Sequence, residues 1–126
     1  MNLLLLGLLY HPSVQEIVAR NSRDGLQNQI NNYQWAIIQG IQQNLQPGER
    51  LSILNSLPVG VFPTHYRKLI LPFCQYSDEF REIGCINLPW VKQSMRAAFA
   101  CKEIERWVKA SPNNRTILLY TLYLPY

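Results

Sequence analysis

Between positions 27 and 34 the chain reads QNQINNYQ, and six of these eight residues (Gln27, Asn28, Gln29, Asn31, Asn32 and Gln34) carry side-chain amides. An amide both donates and accepts hydrogen bonds, as a sugar hydroxyl does, so such a cluster suits a carbohydrate ligand. The amides also open a helical pattern. On a wheel of about 100° per residue, Ile30, Ile37 and Ile41 set the core direction. Gln34 falls on that face and Gln27 at its border, while Asn28, Gln29 and Asn32 point away. Gln34 is therefore expected to be buried and to need partners. The unpaired N–H groups and partial positive charge of the first turn would receive phosphate or sugar hydroxyls. The plain alternative is that Asn and Asp cap the helix and the Gln side chains are solvated.

Other residues offer chemistry singly. His11 follows the first apolar run, where a general base can sit, and it also reads as an ordinary loop histidine before Pro12. His65 lies in a Gly/Pro-punctuated loop. Tyr120, Tyr123 and Tyr126 recur with period three, so they do not share one face of a strand, and Tyr126 falls where a cleft past the strand would open. Asp78, Glu79, Arg81 and Glu82 offer acid/base carboxylates or, more simply, a solvated helix or turn face. Cys74, Cys85 and Cys101 are an odd number without CxxC spacing or a nearby His, which suits reduced thiols and neither a disulfide framework nor a metal site. Phosphate-loop, dinucleotide, nucleophile-elbow and zinc-protease signatures are absent from the sequence.

The elements that must position these residues alternate between strand and helix. With 126 residues, 48% hydrophobic and 16% charged, the chain has the composition of one apolar globular domain. Its net charge of +4 comes from dispersed Lys and Arg, which favours an anionic ligand and argues against nucleic acid. Residues 3–9 read as a strand buried on both faces, and they are too short and lack the flanks of a membrane span or signal peptide. A long loop, residues 10–25, is expected next, then a helix from Leu26 to about Leu45, stopped by Pro47-Gly48. RLSILNSL reads as the second strand and RKLILPFC as the third. After Pro89 a long helix carries the stripe Trp90, Ser94, Ala97, Cys101, Ile104 and Val108, expected to be core. A fourth strand spans 116–124. Strands and crossovers of this length predict an α/β, Rossmann-like open sheet, mostly parallel, with helices on both faces and ligands at the carboxyl ends of its strands.

The helix GLQNQINNYQWAIIQGI, with Gln29, Gln34, Ile38 and Gly40, and the closing TILLYTLYLPY, with Tyr120, Leu122, Tyr123, Pro125 and Tyr126, carry a likeness. Together they resemble the N-terminal domain of bacterial family-4-like glycosyltransferases of the GT-B fold. The resemblance spans residues 1–126 and implies half of a two-domain enzyme, with a nucleotide-sugar held between the halves and a glycan or lipid-linked acceptor on this side. It implies donor or acceptor contacts from Gly25, Leu26, Gln27, Asn28 and Gln29, beside His11 and Tyr126 from the residues themselves. It requires no metal or cofactor beyond the sugar donor. The donor-binding C-terminal domain is expected to lie outside this chain, which alone would not turn over a donor. A cytoplasmic location, with peripheral contact at the inner membrane surface, goes with that reading. The rival expectation is a stand-alone, non-catalytic Rossmann-like module that binds a nucleotide or a protein.

Overall fold

The computed structural model describes residues 2–23, 25–26, 28–110 and 115–119. In chain order the elements are β1 (Asn2–Gly7), α1 (Gln15–Asn21), α2 (Asn28–Asn44), β2 (Arg50–Ser56), β3 (Ile70–Leu71), β4 (Cys74–Ser77), β5 (Phe80–Ile83), β6 (Cys85–Ile86), α3 (Val91–Ala110) and β7 (Arg115–Leu119). Five strands form one sheet in the order β4-β5-β2-β1-β7. β5, β2, β1 and β7 run parallel, and β4 closes the edge antiparallel to β5. β3 and β6 make a separate two-stranded ribbon. The architecture is thus α/β with a mixed, mostly parallel sheet.

Alternation along the strands explains the layering. Leu5, Leu51, Ile53 and Phe80 point to one face, where they pack with Ile38, Trp35 and Ile41 of α2. Leu4, Leu6, Leu54 and Ile83 point to the other, against Ala100, Phe99 and Ile104 of α3. The apolar run of β1 is therefore buried on both sides, each full Leu burial being worth roughly 2 kcal/mol. A third cluster, with Tyr10, Val18, Leu57, Tyr66 and Leu71, seats α1 and the ribbon on the carboxyl edge.

Four expectations change. The segment 10–25 is not all loop. It contains α1, whose seven residues bury only Val18, too little to set up a helical period. RKLILPFC is not one strand but β3, a break at Pro72-Phe73, and the start of β4. The third parallel strand is instead β5, FREI, so Glu82 lies in the sheet and is buried rather than on a solvated face. Finally, α3 is rotated from its expected phase. Ser94, Ala97 and Cys101 are exposed, Trp90 is 90% exposed ahead of the helix, and the buried residues are Lys92, Arg96 and Ala100. Tyr120, Tyr123 and Tyr126 lie outside the described residues. Among the described residues no helix is long and apolar enough to cross a membrane.

Candidate functional site

Two amides of the cluster, Gln34 and Asn31, find their partners in the backbone. Past Gly7, β1 loses its ladder partners, and side chains take over the three residues that follow. Gln34 Oε1 accepts from the Leu8 N–H at 2.8 Å and its Nε2 donates to the Leu8 carbonyl at 2.7 Å. Asn55 treats Leu9 the same way, at 2.7 and 2.9 Å. Asn31 Oδ1 accepts from the Tyr10 N–H at 2.8 Å. Gln34 is buried, as its wheel position predicts, and Asn31 is buried beside it. The outward positions hold as well: Asn28, Gln29 and Asn32 are exposed at the start of α2. Gly25 is exposed with open space where a side chain would be, and Leu26 packs against the third core cluster. Gln27 and Tyr126 lie outside the described residues.

His11 stacks flat on Tyr76, ring centres 3.9 Å apart, with the edge of Phe80 at 5.1 Å. The Ser13 N–H donates to its Nδ1, which puts the proton of the neutral ring on Nε2. Partial burial lowers its pKa below the ordinary 6.5, so the ring is neutral near pH 7. His65 is exposed in the Gly/Pro-punctuated loop, and its ring takes no part in this stack.

Two cavities open at the carboxyl ends of the strands. The first, about 490 Å³, lies where Leu8 leaves β1, the loop of Pro58–Val61 leaves β2, and α3 begins. Lys92 and Arg96, four residues apart and both buried, line it. Lys92 Nζ donates to the Val59 carbonyl. Desolvation, with the nearby Arg96 guanidinium, brings the Lys92 pKa down from 10.5 to about 8. No carboxylate lines this cavity among the described residues, and the first turn of α3 holds no acid. Both cations also sit near the positive end of the helix dipole. At the rim stands Trp90, whose φ of 71° is a left-handed conformation rare for a bulky side chain. Burial and the neighbouring guanidinium both disfavour the Lys92 charge, and an anion bound there would offset them.

The second cavity, about 370 Å³, lies beneath α1 and is walled by Val14, Ile17, Val18, Leu57, Ile70 and Leu71. Glu82 and Tyr76 line it as well. Glu82 Oε1 accepts from Asn55 Nδ2 at 2.8 Å, and the Tyr76 hydroxyl donates to Oε2 at 2.9 Å. Desolvation raises the Glu82 pKa despite both bonds. Tyr76 and Tyr66 are pushed up by burial first and by the Glu82 charge second.

Comparison with family models, with curated proteins and with solved structures returns no match for this chain. Among the described residues no group of three or more His, Cys, Asp or Glu is arranged to hold a metal ion.

Sequence reasoning missed Lys92 and Arg96, and it named Glu82 only within an acidic cluster, without its burial. A signal for the first two was present: two cations at i and i+4 in the opening turns of a helix without a balancing acid oppose the usual charge preference. The burial of Glu82 carried none, because FREI is too short to show alternation.

Proposed function

We propose that this chain is the acceptor-side, Rossmann-like domain of a two-domain glycosyltransferase, and that its cationic cavity receives the phosphate of a nucleotide-sugar or of a lipid-linked acceptor. The observation that carries this reading is the buried Lys92–Arg96 pair in a carboxylate-free cavity at the strand ends. Open α/β sheets bind their ligands at that edge. The strand order supports it, because the chain runs outward from β1 through β2 to β5 and then returns to the far side of β1 with β7. The exposed, conformationally constrained Trp90 offers a flat face for a sugar or base at the rim. The likeness of residues 25–41 and of the closing strand to glycosyltransferase N-terminal domains supplies the reaction class.

In that role the domain holds charge and leaves the chemistry of the sugar to the assembled enzyme. Lys92 and Arg96 would stabilise a diphosphate as it gains negative charge.

The test is a calorimetric titration of the chain with uridine and guanosine diphosphate sugars, the free diphosphates, and neutral disaccharides. Diphosphate-bearing ligands should bind, and Lys92→Met should weaken them by about tenfold or more. Trp90→Ala should weaken the sugar-bearing ligands further than the free diphosphates. Equal binding by neutral disaccharides, or none by any diphosphate, would overturn the reading. Robust sugar transfer by these 126 residues alone would overturn the two-domain part of it.

A further inference from the structure

The apolar cavity beneath α1 has no part in the role just described, and its buried ionisable group is a carboxylate rather than a cation. Its walls are aliphatic side chains from α1, β3 and the exit of β2. Ile17 and Ile70 border it and are 49% and 58% exposed, so the aliphatic lining continues to the surface. Its volume of about 370 Å³ is that of a small-molecule site.

One carboxylate lines this space. Glu82 is 7% exposed and takes one hydrogen bond on each oxygen, from Asn55 and from Tyr76, which leaves lone pairs unused. Among the described residues no cation makes an ion pair with it. Arg81 precedes it on the other face of β5 and pairs with Glu103 at 3.3 Å. Lys68 lines the same cavity, is exposed, and makes no ion pair with it. The phenols of Tyr66 and Tyr76 both lie within reach of its charge.

A buried carboxylate without a counter-ion is costly, and chains that keep one usually supply a cation or bind one. A second anion is excluded by repulsion, and a neutral alkane leaves the carboxylate unmatched. An ammonium satisfies the free lone pairs and interacts well with the flanking aromatic rings. We propose that this cavity is a binding site for a small organic cation, an ammonium group on an aliphatic body, held by Glu82 with Tyr66 and Tyr76 around the charge and the aliphatic walls around the body.

Three probes with one chain length separate the alternatives: hexylammonium, hexanol and hexanoate, titrated into the whole chain by calorimetry at pH 7.5. Hexylammonium should bind at least about tenfold more tightly than either of the others. Glu82→Gln keeps the shape and a hydrogen-bonding oxygen, and it should erase that preference while uridine diphosphate binding stays as in the parent. Should Glu82→Gln fail to fold, Ile70→Trp, placed on an exposed position at the border, should block hexylammonium with the circular dichroism spectrum unchanged. Equal binding of the three probes, a preference for hexanoate, no saturable hexylammonium binding, or binding that survives the variants that fold would each overturn the proposal.

Discussion

Asn55 is fully buried in the middle of the molecule, and its single amide serves two purposes. Its oxygen and nitrogen close on the backbone of Leu9, and the nitrogen also reaches the Glu82 carboxylate. Replacing it with Ala strands a buried N–H, a buried carbonyl and half the support of a buried carboxylate. Each stranded group costs about 1–3 kcal/mol, so Asn55→Ala should lose about 3–5 kcal/mol of stability in urea unfolding. Asn28→Ala, at an exposed amide only a helix away, should change it by less than about 0.5 kcal/mol. This contrast separates an amide that holds backbone from one that faces solvent. Gln34 was legible in the sequence because three isoleucines define a face and it lies on that face. Asn55 was not, because a lone Asn at the end of an apolar strand reads as a turn residue until the partner backbone is known.

At the scale of elements, legibility followed length and contrast. β1, α2 and β2 are long, and their apolar residues outnumber the alternatives at each period. α3 is as long, yet its phase was misread because Ser94, Ala97 and Cys101 mimic an apolar stripe, whereas its true inner face begins with two cations. β5 and the β3–β6 ribbon are held by partners distant in sequence, and strands of two to four residues carry no period of their own. The junction of β5 and β6 is nonetheless strict. A side-chain carbon at Gly84 would lie 2.4 Å from the Leu71 carbonyl oxygen and 2.5 Å from the Phe73 nitrogen, both rigid backbone. Gly84→Ala should therefore cost about 3 kcal/mol or more in chemical denaturation and part the ribbon from the sheet.

For the whole molecule, the two cavities act on stability through pH. Lys92 titrates at about 8 in the folded chain and at 10.5 when unfolded. Its folded value is the lower one, so the cost of burying the charge is fully present below pH 8 and fades as the pH rises toward 10.5. That cost is roughly 3 kcal/mol. Lys92→Met also gives up the Val59 hydrogen bond, so the variant should gain about 1–2 kcal/mol at pH 7. Its advantage over the parent, followed by urea melts, should hold below pH 8 and shrink as the pH rises toward 10.5. Glu82 has the opposite sign: its raised pKa makes its burial costly above the folded value and free below 4.5. The fold thus gives up stability at neutral pH at both carboxyl-edge cavities, the pattern expected of groups kept for binding rather than for folding.

The amides around the exit of β1 have a kinetic consequence too. The sheet ladder ends at Gly7 opposite Asn55, so Leu8, Leu9 and Tyr10 belong to no strand. Their N–H groups nevertheless point at oxygens anchored in α2 and β2, and Leu9 and Tyr10 are buried. Releasing those protons to solvent requires parting the helix from the sheet. In deuterium exchange these three loop amides should be as slow as the centre of β1, and Asn55→Ala should quicken Leu9 ahead of its neighbours.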